Sequence, residues 1–496
     1  MAVVRRRSVD ELAEQVGGRV VWPEGREPAD GGRLSVGPDV VTDSRRATPG
    51  ALFVALPGEH ADGHDYVLAA AAAGAVAVLG SRPTELPTVV VDDVAAGLGR
   101  LGRAVVLGTP GLTVVGITGS SGKTSTKDLL AQVLEDAGPC VSPPNSLNTE
   151  VGVPLTATRV EDGTRYLVSE MGARGIGHIR YLCQLTPPHV GVVLNVGTAH
   201  LGEFGDRDAV ATAKGELVES LPASGWAVLN ADDHRVLGMR ERTSAQISLF
   251  AVDARPPAAD RQVWAEQVAP AGAGRYRFLL RCADELGERS APVTLAGLGR
   301  HQVANAVAAA AAALAVGVGL AEVAASLSAA GPRSHWRMEL TERPDGVLVL
   351  NDAYNANPDS MRAALAAATE LVTESRTRHP GARLVAVLGD MLELGEVAQQ
   401  EHRALGALAA AAGAELVAIG AHADDLAAGF AEGADSAPGD AAATVLGTRD
   451  EVVALLTGRL SPGDVVLVKA SRACELQTVA SALARGGSTP PTGEST

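Results

Sequence analysis

The sequence predicts an α/β protein of three domains, with mostly parallel sheets covered by helices. Three observations carry that expectation. The chain has 496 residues, about three domains at ~100–200 residues each. Short apolar runs recur with helical stretches between them, the alternation of a parallel sheet with helices on its faces. One such run, Leu112 to Thr118, ends in a glycine loop that opens a helix. Hydrophobic residues at 46% are ample for sizeable cores, and aromatics at 3% mean that Ala, Val and Leu pack them.

In chain order, Ala69 to Ala73 reads as a helix, and Ala75 to Leu79 and Val89 to Val91 as short buried strands. Gly108-Thr109-Pro110-Gly111 reads as a linker, so residues 1–108 form a first domain. Residues 109–331 form a central domain with a P-loop ATPase-like sheet: the strand Leu112 to Thr118, a helix from about Lys123 to Ala137, then strands at Tyr166 to Ser169, Val190 to Asn195 and Ala227 to Asn230. A break near Gly331-Pro332 begins a Rossmann-like third domain, 332–496. Its strands are expected at Gly346 to Leu350, Leu384 to Leu388, Leu416 to Ile419 and Val465 to Val468. The last ten residues, Gly487 to Thr496, lack apolar content and are expected to be disordered.

Composition removes several classes. A formal charge of −16 argues against sequence-independent nucleic-acid binding, because a phosphate backbone wants a basic face. Cys140, Cys183, Cys282 and Cys474 lie far apart, which excludes a disulfide scaffold or a Cys-rich zinc site and suits a reducing cytosol. Arg5-Arg6-Arg7 is followed by Asp10, Glu11 and Glu14 where a signal peptide needs an apolar stretch. The longest apolar run, Ala306 to Ala321, is mostly alanine and falls short of the ~20 apolar residues of a spanning helix, so it reads as a buried core helix. The expectation is a cytoplasmic protein without membrane contact.

Lysine occurs at four positions, Lys123, Lys127, Lys214 and Lys469, leaving 38 arginines among the 42 basic residues. Such a chain keeps lysine where a compact point charge or a reactive amine is needed and a guanidinium will not serve. Lys127, one turn beyond the glycine loop, carries no functional expectation; the other three do. Gly119-Ser120-Ser121-Gly122-Lys123-Thr124-Ser125 follows a strand and opens a helix, the setting of a phosphate-binding loop. Lys123 would reach the β/γ-phosphates and Thr124 would hold Mg²⁺. The spacing is the shorter G-x-x-G-K-[ST], Ile117 standing where the longer motif has glycine. No NKxD-type guanine motif follows, which favours ATP over GTP.

The shorter loop, TGSSGKTS, resembles the ATP loop of the Mur ligase superfamily. Asn351-Asp352-Ala353-Tyr354-Asn355-Ala356-Asn357-Pro358-Asp359-Ser360-Met361 is similar to the signature of the branch that joins D-Ala-D-Ala to UDP-N-acetylmuramoyl-tripeptide. Gly389 to Gly395 with His402, Asp43-Ser44-Arg45, Leu52 to Gly58, Asp62-Gly63-His64 and Lys469-Ala470-Ser471-Arg472 resemble further blocks, in family order, so the likeness covers essentially the whole chain.

The resemblance implies a ligase that phosphorylates a carboxylate with ATP and lets an amine attack the acyl phosphate. It implies Mg²⁺ on Thr124 and Glu170, and a second Mg²⁺ on His200 of the Asn195-Val196-Gly197-Thr198-Ala199-His200-Leu201 block. It implies that Lys214, in Ala211-Thr212-Ala213-Lys214-Gly215-Glu216, is carbamylated. An ordinary helix lysine would pair with Glu216 or Glu219. Asn305 would meet the adenine, Arg337 the γ-phosphate and Asp352 the ribose. Ser44 and Arg45 would contact the uridine nucleotide. Asn148 is carried over as a substrate residue from the Asn148 to Pro154 block, while Asn355 and Asn357 would serve the substrate from a turn they also build. Gln302 and Thr149 depart from the family pattern. A monomer is expected, with residues 1–108 for the UDP-sugar peptide, 109–331 for ATP and 332–496 for closure and the dipeptide. The rivals are the branch that adds the third amino acid, which should show a DNPR-type string that is absent here; folylpolyglutamate synthetase, which should lack the Asp43-Ser44-Arg45 domain; and a P-loop ATPase switch.

Overall fold

The computed structural model describes residues 6–25, 34–58, 61–198, 201–434 and 443–486; the expected C-terminal tail and His200 lie outside them. Three larger sheets organise the chain, of five, nine and six strands in sequence order, beside a two-stranded pair near the N-terminus.

The five-stranded sheet runs Arg19–Val21, Thr88–Val90, Ala77–Gly80, Leu52–Val54 and Val40–Val41 across its width, parallel except for the first strand. Helices Val9–Val16 and Val94–Leu107 cover it, the second capped by Asp93, whose carboxylate accepts from the Ala96 amide at 3.0 Å.

In the nine-stranded sheet, Thr113–Thr118 lies between Tyr166–Glu170 and Val190–Val193, parallel to both. Such a strand is buried on both faces, which is why it is a continuous apolar run rather than an alternating one. The chain leaves it at the edge where the neighbouring strands also end, so the loops after all three meet there, the place where open α/β sheets bind ligands.

Helix Lys123–Ala137 follows, entered through Gly122 at φ 80°. Helix His301–Ala315 packs against it, and Ala306 to Ala313 are fully buried; methyl side chains let two helices and a sheet approach closely. The apolar run expected as one core helix is two: Gly317, at φ 88°, ends the first, and Leu320–Ala329 forms the second. No described helix is long and apolar enough to cross a membrane.

The far side of this sheet is antiparallel and was not read from the sequence. Strands Arg261–Gly272, Arg275–Asp284 and Gly287–Thr294 form consecutive hairpins, with Gly272, Ala273 and Gly274 at φ 88°, 51° and 68° in the first turn.

The six-stranded sheet has the order Glu339–Glu342, Leu348–Asn351, Val465–Lys469, Leu384–Leu388, Ala414–Ile419 and Ala443–Leu446, antiparallel only at the first pair. Leu348–Asn351 and Val465–Lys469 are parallel neighbours, so Asp352 and Lys469 emerge side by side.

Candidate active site

The phosphate loop is held in shape by the strand beside it. Asn195, just past Val190–Val193, accepts the Ser121 amide at its side-chain oxygen (2.9 Å), and its backbone carbonyl accepts the Ser120 amide (3.2 Å). The Ser120 hydroxyl accepts in turn from the Gly197 amide at 2.9 Å. Lys123 is folded back, its Nζ donating to the Gly119 carbonyl at 2.6 Å. Burial holds its ammonium below the ordinary lysine range, partly offset by the Glu170 charge. Asn305 reaches the same loop: its Oδ1 accepts from Thr126 Oγ1 (3.4 Å), and its Nδ2 donates to Gln302 Oε1 (3.0 Å). Gln302, the departure from the expected pattern, thus orients the carboxamide of Asn305. Thr149, the other departure, accepts the Gly152 amide (3.3 Å) and braces the start of helix Gly152–Ala157.

Glu170, the last residue of its strand and 1% exposed, is the hub of an oxygen-rich cluster. Its Oε2 accepts from Thr124 Oγ1 at 2.9 Å, while Oε1 accepts from Ser146 Oγ at 2.5 Å and Asn148 Nδ2 at 2.8 Å. Hydroxyl, carboxylate and carboxamide oxygens are the donor chemistry that a hard divalent cation prefers. Among the described residues no cluster of three or more His, Cys, Asp or Glu side chains has metal-ligand proximity. An ion here would complete its shell with phosphate oxygens and water, as Mg²⁺ commonly does.

Across the cavity, Lys469 donates to Asp352 Oδ2 at 2.6 Å and to the Asn355 carbonyl at 2.8 Å, tying the two loops together. Asp352 Oδ1 accepts the Met338 amide at 3.0 Å. Arg337 stands between Trp336 and Met338, both in left-handed backbone at φ 58° and 51°. Its guanidinium carbon lies 4.2 Å from the Tyr354 ring centre, and its Nε is buried without a hydrogen-bond partner among the described residues. Asn357 caps helix Pro358–Ser375 by accepting the Ser360 amide (2.9 Å) and also donates to the Ser120 carbonyl of the phosphate loop (3.5 Å). One cavity of about 970 Å³ is lined by Ser120 to Ser125, Asn148, Glu170, His301, Asn305, Arg337, Asp352, Asn355, Asn357 and Lys469.

Three expected residues stand apart from that lining. Ser44 and Arg45 lie in the first unit, in a short turn where Arg45 is occupied by Asp43 (Nη2 to Oδ2, 2.8 Å). Lys214 lies behind the lining on helix Arg207–Glu219, 4% exposed and without a hydrogen-bonding or ionic partner among the described residues. Glu216 is engaged by the Gly177 and Arg180 amides (2.6 and 3.0 Å), and Glu219 by Arg180 and Arg242 (3.0 and 2.7 Å), so neither pairs with it. Burial and the nearby Lys123 charge push the Lys214 pKa well below the ordinary lysine value. His200 lies outside the described residues.

Lys127, assigned no role from the sequence, is 1% exposed, with Nζ 2.5 Å from Asp128 Oδ1 and 2.7 Å from the Pro143 carbonyl. It anchors the loop that carries Ser146 and Asn148. The sequence assigned no part to Ser146, which carried no distinctive signal, to Asn195 and Gln302, which stood in or beside noted motifs, or to Lys469, which the lysine scarcity had marked.

Known proteins agree with this arrangement. The Mur ligase middle domain family matches residues 117–313, the Mur ligase glutamate ligase domain residues 336–472, and the Mur ligase catalytic domain family residues 39–128. A UDP-N-acetylmuramoyl-tripeptide–D-alanyl-D-alanine ligase of Mycobacterium tuberculosis is 44% identical, the alignment covering 96% of this chain and 97% of that one. Its Escherichia coli counterpart is 36% identical over 90% of this chain and 94% of its own. A crystal structure of MurF from Acinetobacter baumannii superposes with a TM-score of 0.81 at 31% identity, over 97% of this chain and 99% of that one. MurF from Thermotoga maritima in complex with ADP gives 0.72 at 26% identity, over 90% and 97%. An ATP-type phosphate loop facing a second α/β unit, in a chain alike over nearly its whole length, places it: the chain belongs to the Mur ligase family, in its MurF branch.

Proposed function

We propose that the chain uses ATP to join D-Ala-D-Ala to UDP-N-acetylmuramoyl-tripeptide, giving the pentapeptide precursor of peptidoglycan. The observation that carries the reading is the single cavity in which the phosphate-loop residues Lys123 and Thr124 face Arg337, Asp352 and Asn357. A peptide carboxylate is a poor acyl donor until one oxygen becomes a leaving group. The tripeptide carboxylate attacks the γ-phosphorus, ADP departs, the dipeptide amine attacks the acyl carbon, and inorganic phosphate leaves. Catalysis of this kind rests on positioning and charge neutralisation. Lys123 and Arg337 supply cations from opposite walls, Asn305 receives the adenine, and Asp352 and Lys469 fix the loops beside the ribose. Ser120, Ser121, Gly122 and Ser125 present the loop to phosphate, and Asn148 and Asn355 face the substrates.

Thr124 and Glu170 would hold Mg²⁺, which neutralises phosphate charge; a second ion would take His200 and a carbamate on Lys214. A buried, neutral lysine amine is the form that adds to CO₂, losing one proton and gaining a carbamate whose two oxygens share one negative charge. Residues 1–108 take the UDP-sugar end through Ser44 and Arg45, 109–331 take ATP, and 332–496 close on the dipeptide. The chain is taken to act as a monomer, and ATP with a UDP-linked substrate fits the cytoplasm.

Product analysis tests the reaction: purified chain with ATP, Mg²⁺ and both substrates should yield UDP-N-acetylmuramoyl-pentapeptide with equal ADP and phosphate. Lys214→Ala should lose ligation and recover it with a short-chain carboxylate, whereas Lys123→Ala should not recover. Full activity in unrescued Lys214→Ala would remove the carbamate from the scheme.

A further inference from the structure

Resting on that proposed reaction, we propose that Arg472 reads the C-terminal carboxylate of the incoming dipeptide. Arg472 lies just beyond Lys469, in the loop that follows strand Val465–Lys469, and borders the cavity. Its guanidinium carbon lies 4.1 Å from the Trp336 ring centre and 5.8 Å from that of Tyr354. Tyr354 in turn carries Arg337 at 4.2 Å. Tyr354, Arg337 and Arg472 therefore line one wall of the cavity, with the Trp336 ring packed on Arg472.

The wall is built rather than incidental. Trp336 is held in left-handed backbone at φ 58°, a conformation a bulky residue adopts only when its surroundings impose it. The surroundings are visible: the Trp336 carbonyl accepts the Tyr354 amide at 3.1 Å, and its own amide donates to Glu339 Oε2 at 3.1 Å. The ring that carries Arg472 is thereby fixed to the loop that contains Asn355.

Stacking holds a guanidinium by its face and leaves its edge free. That edge is a planar fork of N–H donors, matched to a carboxylate in bidentate geometry. Among the described residues no Asp or Glu lies within ion-pairing distance of Arg472; the carboxylate whose charge it feels, Glu475, is itself paired with Arg449. The neighbouring cations are engaged differently: Lys469 is taken by Asp352, and Lys123 and Arg337 flank the phosphate end.

Among the groups that must enter this cavity, the dipeptide brings a carboxylate that does not react. An extended dipeptide spans at most about 7 Å from amine to carboxylate, so a cation fixed on the wall can hold one end while the amine meets the acyl carbon. A reader of this kind selects a free dipeptide acid over its amide or a longer peptide.

The test is a substrate cycle on the full-length chain, comparing D-Ala-D-Ala with D-alanyl-D-alanine amide by ADP release. The native chain should prefer the acid by about 10- to 100-fold in kcat/KM, the range of a charge-assisted hydrogen-bonded pair. Arg472→Met should raise KM for D-Ala-D-Ala by a similar factor and reduce the acid–amide preference to within about 3-fold. KM for ATP and for the UDP-tripeptide should stay within about 2-fold. Arg472→Lys, which keeps the charge and loses the fork, should retain part of the preference and supplies the answer if the methionine variant does not fold. Undiminished acid–amide discrimination in either folded variant would overturn the proposal. So would a rise confined to the KM of ATP or of the UDP-tripeptide, which would assign Arg472 to another anion. ADP release by the native chain that ignores the dipeptide would instead defeat the proposed reaction.

Discussion

At single residues, lysine carries most of the chemistry. Lys123 sits where phosphate charge is met by a compact ammonium, and a planar guanidinium cannot enter between two phosphate groups in the same way. Lys123→Arg should therefore reduce ligation at least 1000-fold, or roughly 4 kcal/mol of transition-state stabilisation, while the thermal midpoint stays near native. Near-normal turnover would remove the loop from its assigned role. Lys127 makes a different point. With its ammonium between Asp128 and the Pro143 carbonyl, Lys127→Met leaves a nearly buried carboxylate without its partner. A loss of about 3 kcal/mol is expected in denaturant unfolding, because breaking a buried pair from one side costs ~3–5 kcal/mol. A change below about 1 kcal/mol would show that the pair contributes nothing measurable. Scarcity of lysine marked all four positions as unusual, and the place of Lys127 one turn past the loop set it apart without a role; the fold supplies that role. Spacing along a helix does not reveal that Lys127 points at a loop sixteen residues away.

Elements were legible wherever local pattern and tertiary setting agree. Leu384–Leu388 and Lys123–Ala137 coincide with the apolar run and the helix start read from the sequence, because glycine and strand signals bound them. The run from Ala306 to Ala321 misled, since nine buried positions in a row hide the helix phase and Gly317 looks like one more small residue. The hairpins from Arg261 to Thr294 were missed because their alternation is interrupted by shifts in register at Glu266/Ala269 and Pro270/Gly272. One element carries a pH prediction. The segment Gly389–Gly395, whose Leu392 and Glu393 border the cavity, is pinned by His402: Nε2 accepts the Met391 amide at 2.9 Å and Nδ1 donates to the Ala398 carbonyl at 2.6 Å. Neutral imidazole alone can accept at Nε2, so protonation breaks the Met391 contact while the Nδ1 donation to Ala398 persists. Burial holds the His402 pKa below the ordinary 6.5 and His422, stacked at 4.3 Å, pushes the same way, while the Ala398 carbonyl, Asp390 and Asp425 oppose them. The unfolded chain then binds the extra proton first, so this contribution is complete above about pH 6.5 and is lost as pH falls toward the depressed folded value. Hydrogen exchange at the Met391 amide, corrected for intrinsic rates, should lose protection progressively as pH falls below about 6.5. Protection that is flat across that range would contradict the pinning.

On the scale of the whole molecule, the site exists because two sheets present their strand ends to one cavity. Thr118, Glu170 and Asn195 mark the ends on one side, and Asp352 and Lys469 on the other. Motif order along the chain foretold both walls, but it gave no sign of how closely they meet. Asn357 donates to the Ser120 carbonyl at 3.5 Å, and a methyl group on Gly197 would collide with the Asp359 carboxylate. Gly197→Ala should accordingly bar full approach. Small-angle scattering should show the native chain compacting with an ATP analogue plus both substrates, and the variant remaining larger under the same conditions. Equal radii in the two would show that this contact does not limit closure.

ATP cleavage in this chain is committed to joining two peptides, and the decisive measurement is ADP release with each substrate omitted in turn. The account predicts sustained release only with UDP-N-acetylmuramoyl-tripeptide and D-Ala-D-Ala together, with one pentapeptide formed per ADP. Steady ATP turnover that is indifferent to the dipeptide would contradict it and point to an ATPase switch.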